Sequence, residues 1–294
     1  MFNVEFFRSK LQAFLSTSKE QIFLSIGAVL LIFLLEIVLL GYRKSSIANL
    51  LRNDRSSRRD VLSYVLDVTG ALRLIGHTVT LGSGYLVGQF IQNRLHLNLT
   101  GSLANPAIQV CGFLFAKSFF DYWMHRLMHT FPALWEIHKY HHSAAEMNVV
   151  TAHRESILVA PFSSLYFAIP LGIIGTPTTA FWILGFVMEL HAVLVHSQLI
   201  TSWGRVGEYI LISPLAHRVH HSLDQKHWGK NYGFVFPLWD HIFGTYHLDE
   251  IPETIAVGVS DATYNHASWP EEMAYCMKSF YGQLRRLVPT KSLA

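Results

Sequence analysis

The sequence predicts an all-α integral membrane protein, in which a bundle of about four or five transmembrane helices is capped by a cytosolic helical domain rich in histidine. Three observations lead to this class. Hydrophobic residues make up 51% of the chain and charged residues 15%, whereas soluble domains carry roughly 25% charged residues. Several apolar stretches are long enough to enter a bilayer. The chain also contains 17 histidines, many of them in clusters close to these stretches.

Composition and charge exclude several other classes. The formal net charge of +3 is too small for the basic surface of a typical nucleic-acid binder, so no nucleic-acid partner is expected. The high hydrophobic content excludes a disordered chain. The only cysteines are Cys111 and Cys276, which excludes a disulfide-stapled fold and a cysteine-rich zinc or iron–sulfur site.

The first apolar stretch, residues 22–40, is interrupted only by Glu36 and is long enough to cross roughly 30 Å of hydrocarbon. A buried core helix is the alternative. The residues before it include acidic side chains and no small-residue cleavage site, so a cleaved signal peptide is not expected. The loop after it is rich in arginine. By the positive-inside rule, this places the N-terminus outside and the loop in the cytoplasm.

Three further stretches complete the predicted bundle. Residues 61–91 are apolar but carry a few charged or polar side chains, so they form one span with these groups turned inward, or a broken or re-entrant segment. Within them, Gly84 and Gly88 predict a close helix contact. Residues 107–123 return through the membrane. Residues 156–195 form a helical hairpin with a Gly-Thr-Pro turn near the middle.

This pattern divides the chain into three regions. Residues 1–106 hold the N-terminal membrane helices and the basic cytoplasmic loop, and residues 107–250 hold a candidate catalytic domain that includes the hairpin. Residues 251–294 form a C-terminal tail, of which residues 271–287 have the pattern of an amphipathic helix at the membrane surface or packed on the cap. The histidine clusters and the C-terminus are predicted to be cytoplasmic.

Four groups of histidines indicate metal coordination. Two histidines four residues apart lie on one face of a helix, two triads share the spacing His-x-x-His-His, and one histidine ends the hairpin. Together they offer imidazole nitrogens from His125, His129, His138, His141, His142, His196, His217, His220 and His221. A structural zinc ion takes about four ligands, so this many donors predicts two metal ions.

The donor set narrows the choice of metal. Imidazole is a typical ligand of transition metals, and the near absence of carboxylates in the clusters excludes calcium and magnesium. Zinc, iron, manganese and copper remain. A pair of redox metals is the more economical interpretation for a membrane enzyme that acts on an inert lipid chain.

These residues also give the sequence a resemblance to the membrane-bound fatty acid hydroxylase and sterol desaturase superfamily. The matching segments run from about Phe113 to Tyr246. They are Asp121-Tyr-Trp-Met-His125-Arg-Leu-Met-His129, His138-Lys-Tyr-His141-His142-Ser143, Pro214-Leu-Ala-His217-Arg-Val-His220-His221 and Trp239-Asp240-His241-Ile-Phe-Gly244. His196-Ser-Gln-Leu and Lys230-Asn-Tyr-Gly233 are most similar to the alkylglycerol monooxygenase branch.

The resemblance implies an oxidoreductase that uses dioxygen to hydroxylate or desaturate a C–H bond of a fatty acyl, sterol or ether lipid. It implies a four-helix membrane core with a cytosolic domain that holds two iron ions, and it assigns the clustered histidines as their ligands. Zinc is possible as an alternative or a substitute. The expected partners are a lipid from the bilayer, dioxygen and an external electron donor such as a reductase, a cytochrome or a pterin.

Three polar residues near the clusters, Asp121, Asn231 and Asp240, are candidates to orient the ligands. The two carboxylates could instead balance the charge of the metals. His191 lies in apolar surroundings and is expected to be structural. His241 stands where the superfamily usually has arginine or lysine, and a surface or packing role is expected there.

Two other functions remain open from the residues alone. A membrane hydrolase with a zinc pair would need neither oxygen nor reductant. A metal transporter or storage protein would carry histidines along a path inside the spans, whereas these histidines flank the spans. Neither a serine-hydrolase elbow nor a dinucleotide or phosphate loop occurs in the sequence, so a nicotinamide or flavin cofactor would belong to a partner.

Overall fold

The computed structural model describes residues 4–80, 83–96, 99, 105–174, 181–248 and 255–287, and the regular structure of these residues is helical apart from one isolated bridge between Ser222 and Val257. The α-helices are α1 (Val4–Leu40), α2 (Ser46–Leu51), α3 (Arg55–Val68), α4 (Ala71–Val79), α5 (Ser83–Leu95), α6 (Pro106–Thr130), α7 (Pro132–His142), α8 (Val159–Ile174), α9 (Phe181–Val195), α10 (Arg205–Tyr209), α11 (Pro214–His220), α12 (Leu238–Ile242) and α13 (Trp269–Leu287). Short 3-10 helices lie at Tyr42–Lys44, Val149–His153 and Gln225–His227. The predicted all-α class is therefore confirmed for this part of the chain.

Helix α1 contains the one segment of the described residues that is long and apolar enough to cross a membrane, Lys19–Leu40. Helices α8 and α9 are also apolar but shorter. On α1, Leu34 and Val38 are 62% and 79% exposed. An apolar surface that the described part of the chain leaves uncovered is suited to contact with hydrocarbon.

Glu36, the one charge within this apolar stretch, is fully buried at the end of α1. Its carboxylate accepts hydrogen bonds from the backbone N–H groups of Ser46, at 2.6 Å, and Gln198, at 2.7 Å. It thereby joins α1 to the start of α2 and to the segment that follows α9.

The region predicted as one span or a broken segment is broken, into α3, α4 and α5. The break between α3 and α4 occurs at Gly70, whose φ of 80° lies in the left-handed region that favours glycine. Helices α4 and α5 both pack on α8. A Cβ atom on Gly172 of α8 would lie 3.3 Å from the Cα of Gly88, so the predicted close contact at Gly88 is confirmed. The surroundings of Gly84 lie outside what the structure describes.

The two halves of the predicted hairpin are the helices α8 and α9. Their main contacts are with other elements: α8 packs on α4, α5 and α6, while α9 packs on α1 and α11. The predicted turn near residues 175–177 lies outside the described residues. Because each half has its own partners, the two helices are held by the bundle and not by the turn alone.

The cap is built around α7, which packs between α6 and α13. On α13, Met273 and Cys276 are buried, and the Cys276 thiol lies 3.1 Å from the carbonyl oxygen of Glu136. Met277 and Tyr281 on the same helix are exposed. The amphipathic helix predicted in the tail therefore packs on the cap through one face.

Arg154 ties α7 to α3. It is fully buried and pairs with Asp60 of α3 at 2.9 Å. The same guanidinium donates to the carbonyl of Tyr140 and to the hydroxyl of Ser143, at the end of α7. This contact fixes the end of α7 that carries the first histidine triad.

Candidate metal centre

Three helices and one helix end present the clustered histidines to a common volume. Helix α6 carries a pair, α7 and α11 carry a triad each, and His196 directly follows α9. Helices α7 and α11 both begin with proline, which fits the first helical position because no N–H is needed there. In α11, the Ser213 hydroxyl also accepts a hydrogen bond from the N–H of Ala216. These helix starts set the direction in which each triad points.

The imidazoles form two groups, and within each group the possible ligand atoms lie within 4.8 Å of one another. The first group contains His125, His129, His138, His142 and His220, and the second contains His141, His196, His217 and His221. Each triad is divided: its first and last histidines join one group and its middle histidine joins the other. At 3.6 residues per turn, the i+4 position lies about 40° to one side of i, and i+3 about 60° to the other.

The second group has nitrogen atoms at distances that suit a shared ion. The Nε2 atom of His196 lies 3.3 Å from that of His141 and 3.0 Å from that of His217, which lies 3.1 Å from that of His221. Each Nε2 carries at most one hydrogen, so these successive contacts cannot all be good hydrogen bonds. Nitrogens bound to one ion at about 2.0–2.1 Å lie about 3–3.4 Å apart, so the residues fit a bound metal.

The first group fits a metal for a second reason. The Nε2 atoms of His125, His129 and His220 are buried and have no hydrogen-bond partner among the described residues. The Nε2 atoms of His138 and His142 lie 3.2 Å apart. Buried polar atoms without partners are rare in folded proteins, and a metal ion at the centre of this group would satisfy them.

Backbone carbonyls select the tautomer of several of these rings. The Nδ1–H of His125 donates to the carbonyl of Tyr232 at 2.9 Å, and that of His220 donates to the carbonyl of Lys230 at 2.8 Å. In the second group, Nδ1–H of His196 donates to a carbonyl of α9 at 2.7 Å. With the proton on Nδ1, the lone pair of Nε2 is free to bind a metal.

Asn231 holds the loop that supplies two of these carbonyls. Its φ of 54° lies in the left-handed region that asparagine tolerates better than most residues. Its side-chain amide donates to the carbonyls of Ala216, at 3.0 Å, and His247, at 2.8 Å, and its Oδ1 accepts from the N–H of His247. The side chain therefore binds backbone groups on both sides of the loop.

Asp240 binds the backbone of the same loop. Its carboxylate is fully buried and accepts from the backbone N–H groups of Tyr232, at 2.8 Å, and Gly233, at 2.7 Å. It also accepts from the hydroxyl of Thr245 at 2.6 Å. A Cβ atom on Gly233 would lie 2.6 Å from the carbonyl oxygen of Phe236 and 2.7 Å from this carboxylate, so only glycine fits between them.

Asp121 has a different environment. Both of its carboxylate oxygens lie 2.7 Å from the ammonium nitrogen of Lys117, one turn earlier on α6. The pair forms part of the wall of a cavity beside the histidines. Its carboxylate is therefore engaged with a lysine and not with an imidazole.

Burial keeps the clustered imidazoles neutral. It lowers the pKa of His125 to about 4 and that of His196 to about 3. For the other members, burial and then the neighbouring imidazoles hold the pKa well below the ordinary value of 6.5. Neutral imidazole is the form that binds metals.

Two cavities open onto the centre and share no lining residue. One, of about 410 Å³, lies among α6, α8 and α9 and reaches five histidines from both groups. Its apolar walls include Met124, Met128, Phe167 and Met188. The other, of about 560 Å³, lies on the cap side and reaches only histidines of the first group, beside Trp135.

A charged cluster at the first cavity was missed by the sequence reasoning. His153 donates from Nδ1 to Asp67 at 2.8 Å, and its Nε2 lies 2.9 Å from a carboxylate oxygen of Glu189, so both ring nitrogens face a carboxylate. Hydrogen bonds and charge from these carboxylates outweigh burial and raise the pKa of His153 to about 10. Glu155, whose pKa burial raises to about 8, lies 3.9 Å from Nδ1 of His141. Spacing along the chain could not show this cluster, because its members come from different helices.

Two other histidines lie outside both groups. His191 is buried and its Nε2 lies 3.0 Å from the carbonyl oxygen of Ile212, as expected for a structural histidine. His241 is exposed and stacks between Tyr209 and Tyr246, with ring centroids 5.5 Å and 4.2 Å away. The surface and packing role predicted for His241 is confirmed.

Comparison with known proteins agrees with this geometry. Residues 110–245 match the fatty acid hydroxylase family, and this segment contains every histidine of the two groups. Residues 110–245 belong to the fatty acid hydroxylase family. The resemblance seen in the sequence is therefore confirmed over this segment.

Individual relatives of this fatty acid hydroxylase segment include human alkylglycerol monooxygenase, 34% identical over 47% of this chain and 30% of the human protein. The alkylglycerol monooxygenase of Danio rerio is 32% identical over 52% of this chain and 33% of its own length. Ornithine lipid hydroxylase from Rhizobium tropici is 30% identical over 52% of this chain and 46% of its own length. The chain thus spans less than half of the length of these relatives. No solved structure matches it significantly.

Proposed function

We propose that the protein is a membrane-bound, non-haem di-iron oxygenase that hydroxylates, or desaturates, a C–H bond of a lipid with dioxygen. The observation that carries this proposal is the convergence of imidazoles into two buried groups within a fatty acid hydroxylase segment. Histidines of the first group would hold one ion and histidines of the second group the other. Bound iron would supply the one-electron chemistry that dioxygen activation requires.

The residues of the chain would hold the ligands in position and exclude water. Asn231 and Asp240 orient the loop that sets the tautomers of two ligands, and Asp121 is neutralised by Lys117 in the cavity wall. Because Asp121 and Asp240 bind other groups, we assign neither as a metal ligand.

The cavity among α6, α8 and α9 would receive the lipid chain. Its methionine and phenylalanine side chains suit a hydrocarbon, and histidines of both groups line its inner end. Two of the relatives are named for reactions on alkylglycerols and one for a reaction on ornithine lipids. We therefore infer a lipid with a polar head group as the substrate class.

Hydroxylation of one C–H bond by one O₂ yields an alcohol and one water, and it consumes two electrons and two protons. The lipid provides the other two electrons when its C–H bond is oxidised. An external donor, a reductase, a cytochrome or a pterin, must supply the first two. The sequence carries no dinucleotide-binding loop, which is consistent with a separate donor.

The exposed apolar face of α1 supports a membrane location. We propose about four or five membrane passes or insertions in total, formed by α1, the α3–α5 region, residues 107–123 of α6 and the α8–α9 pair, with the N-terminus outside and the histidine groups in the cytoplasm. The arginine-rich loop after α1 favours this orientation.

The test is oxygen incorporation. The purified protein, reconstituted in lipid with a chemical reductant, is incubated under ¹⁸O₂ with alkylglycerols, ornithine lipids or acyl phospholipids. The proposal predicts one ¹⁸O atom in the product of at least one class, or, for desaturation, a product two hydrogens lighter. Turnover that proceeds without oxygen and incorporates oxygen from water would show a zinc hydrolase instead.

A further inference from the structure

The short helices α10 and α12, with Ile200 before α10 and Ile210 directly after it, carry apolar side chains that the described protein leaves partly exposed. The exposed fraction of these side chains ranges from 37% to 61%. They are Ile200, Val206, Tyr209, Ile210, Leu238 and Ile242. We call this surface the α10–α12 patch. Soluble proteins rarely leave so many large apolar side chains exposed together, so the patch calls for a partner.

Helix α12 has two distinct faces. On one face, the indole of Trp239 donates to the Ser118 hydroxyl at 2.9 Å and packs 5.0 Å from Phe119 of α6. On the other face, Ile242 is 57% exposed and Leu238 is 37% exposed. The α6 residues in this contact belong to residues 107–123, the stretch predicted to cross the membrane.

Helix α10 is fixed to α12 at the same level. The Nε2–H of His241 donates to the carbonyl of Glu208 at 2.7 Å, and its ring stacks on Tyr209. The segment also follows closely after α9, at the end of the predicted hairpin. The two short helices therefore form one unit beside the ends of two predicted membrane segments.

We propose that the α10–α12 patch inserts into the cytoplasmic leaflet of the lipid bilayer as a monotopic anchor. The inference rests on the membrane location given under Proposed function. Three observations favour lipid over a protein partner: Trp239 of α12 packs on the α6 stretch that is predicted to cross the membrane, the patch combines aliphatic side chains with an exposed tyrosine, and exposed Arg205 can meet anionic head groups.

The anchor also bears on substrate entry. Phe234, in the segment that leads into α12, lines the cavity together with Phe167 and Lys117. The ammonium of Lys117 lies 5.1 Å from the ring centroid of Phe167 and 6.0 Å from that of Phe234. Insertion of α12 into the leaflet holds this wall of the cavity at the bilayer, where a lipid chain can enter without crossing water.

The experiment measures the surroundings of single labels in the full-length protein in phosphatidylcholine vesicles. Cys111→Ser removes the exposed cysteine, and buried Cys276 stays in place. In this background, Ile242→Cys and Ile210→Cys carry an environment-sensitive fluorophore on the patch. Val38→Cys, on α1, serves as the membrane control, and Leu223→Cys, on the cap and 40% exposed, serves as the water control.

We expect brominated acyl chains to reduce the emission of the labels at positions 242, 210 and 38 about twofold, while aqueous iodide quenches only the label at position 223. Quenching by bromolipid at position 38 but not at 242 and 210 would overturn the anchor and leave the membrane location intact. Absence of bromolipid quenching at position 38 would overturn the membrane location itself. Shielding of positions 242 and 210 from both quenchers would show a protein partner, such as a second copy, and would also overturn the anchor.

Discussion

The Nδ1 atom of His125 donates a hydrogen bond to the carbonyl oxygen of Tyr232 at 2.9 Å, although the two residues lie on different elements far apart in the chain. The neighbouring carbonyl of Lys230 does the same for His220. Both histidines belong to the first group. One loop therefore sets the tautomer of two proposed ligands of one ion. These two hydrogen bonds involve no histidine of the second group.

The first prediction concerns Asp240. In Asp240→Asn, one of the oxygens that accept the N–H groups of Tyr232 and Gly233 becomes an amide that cannot accept, which costs about 1–3 kcal/mol and releases the loop. We expect metal content to fall from about two ions per chain to about one, measured by elemental analysis. The control Asp224→Asn changes an exposed helix cap, where asparagine serves equally well, and should keep both ions.

Gly233→Ala tests the same part of the loop, because its Cβ would collide with both the Asp240 carboxylate and the backbone carbonyl of Phe236. It should also lose about one ion. If both variants keep two ions at full occupancy, the loop does not position the first group.

The second prediction concerns the division of the triads. His142→Ala should weaken the ion of the first group, and His141→Ala, one residue earlier, should weaken the ion of the second group. Spectroscopy of the remaining iron should therefore differ between the two single variants, and the double variant should lose both ions. His266→Ala changes an exposed histidine and should alter neither. Identical spectra from the two single variants would contradict the two-group arrangement.

The third prediction concerns Arg154. Its removal leaves the buried carboxylate of Asp60 unpaired, so Arg154→Met should destabilise the fold by about 3–5 kcal/mol. Arg52→Met breaks a pair with Glu146 in which both side chains are about half exposed, and should cost less than about 1 kcal/mol. Unfolding in detergent measures both. Equal losses of stability would show that Arg154 is not the tie between the cap and α3.

The fourth prediction concerns pH and His153. The carboxylates of Asp67 and Glu189 raise the pKa of His153 from 6.5 to about 10, so its charge stabilises the folded state fully below pH 6.5 and less as pH rises towards 10. The stability difference between the wild type and His153→Gln should therefore shrink over that range. His266→Gln, at an exposed site, should show no such trend. A stability difference between the wild type and His153→Gln that stays constant from pH 6 to pH 10 would contradict a raised pKa of His153.

The histidine clusters could be found from the sequence because helical spacing is a local property. His125 and His129, or His217 and His221, must share a helix face whatever the tertiary fold. The neighbours His141 and His142 belong to different groups. Sequence spacing could not predict this, because it depends on how α7, α11 and the end of α9 are oriented. The sequence predicts these histidines as metal ligands, which stays a prediction, and it leaves their division into two groups open.

The roles of the polar residues could be predicted only in part. Asn231, predicted to orient the ligands, sits in a Lys-Asn-Tyr-Gly element, and its side chain binds the backbone of the loop that supplies carbonyls to two of the rings. For Asp240, the contacts are with backbone N–H groups that no pattern indicates. The α10–α12 patch was missed because a hydropathy search requires long stretches, and each of these helices is short.

We propose that the two buried histidine groups hold one iron each. Elemental analysis of the purified full-length protein, with Mössbauer spectroscopy after loading with ⁵⁷Fe, counts these ions and reports their ligands. We expect about two irons per chain, with two sites of nitrogen-rich coordination that respond separately to His142→Ala and His141→Ala. Stoichiometric zinc that iron cannot replace, or a single iron bound by histidines of both groups, would contradict it.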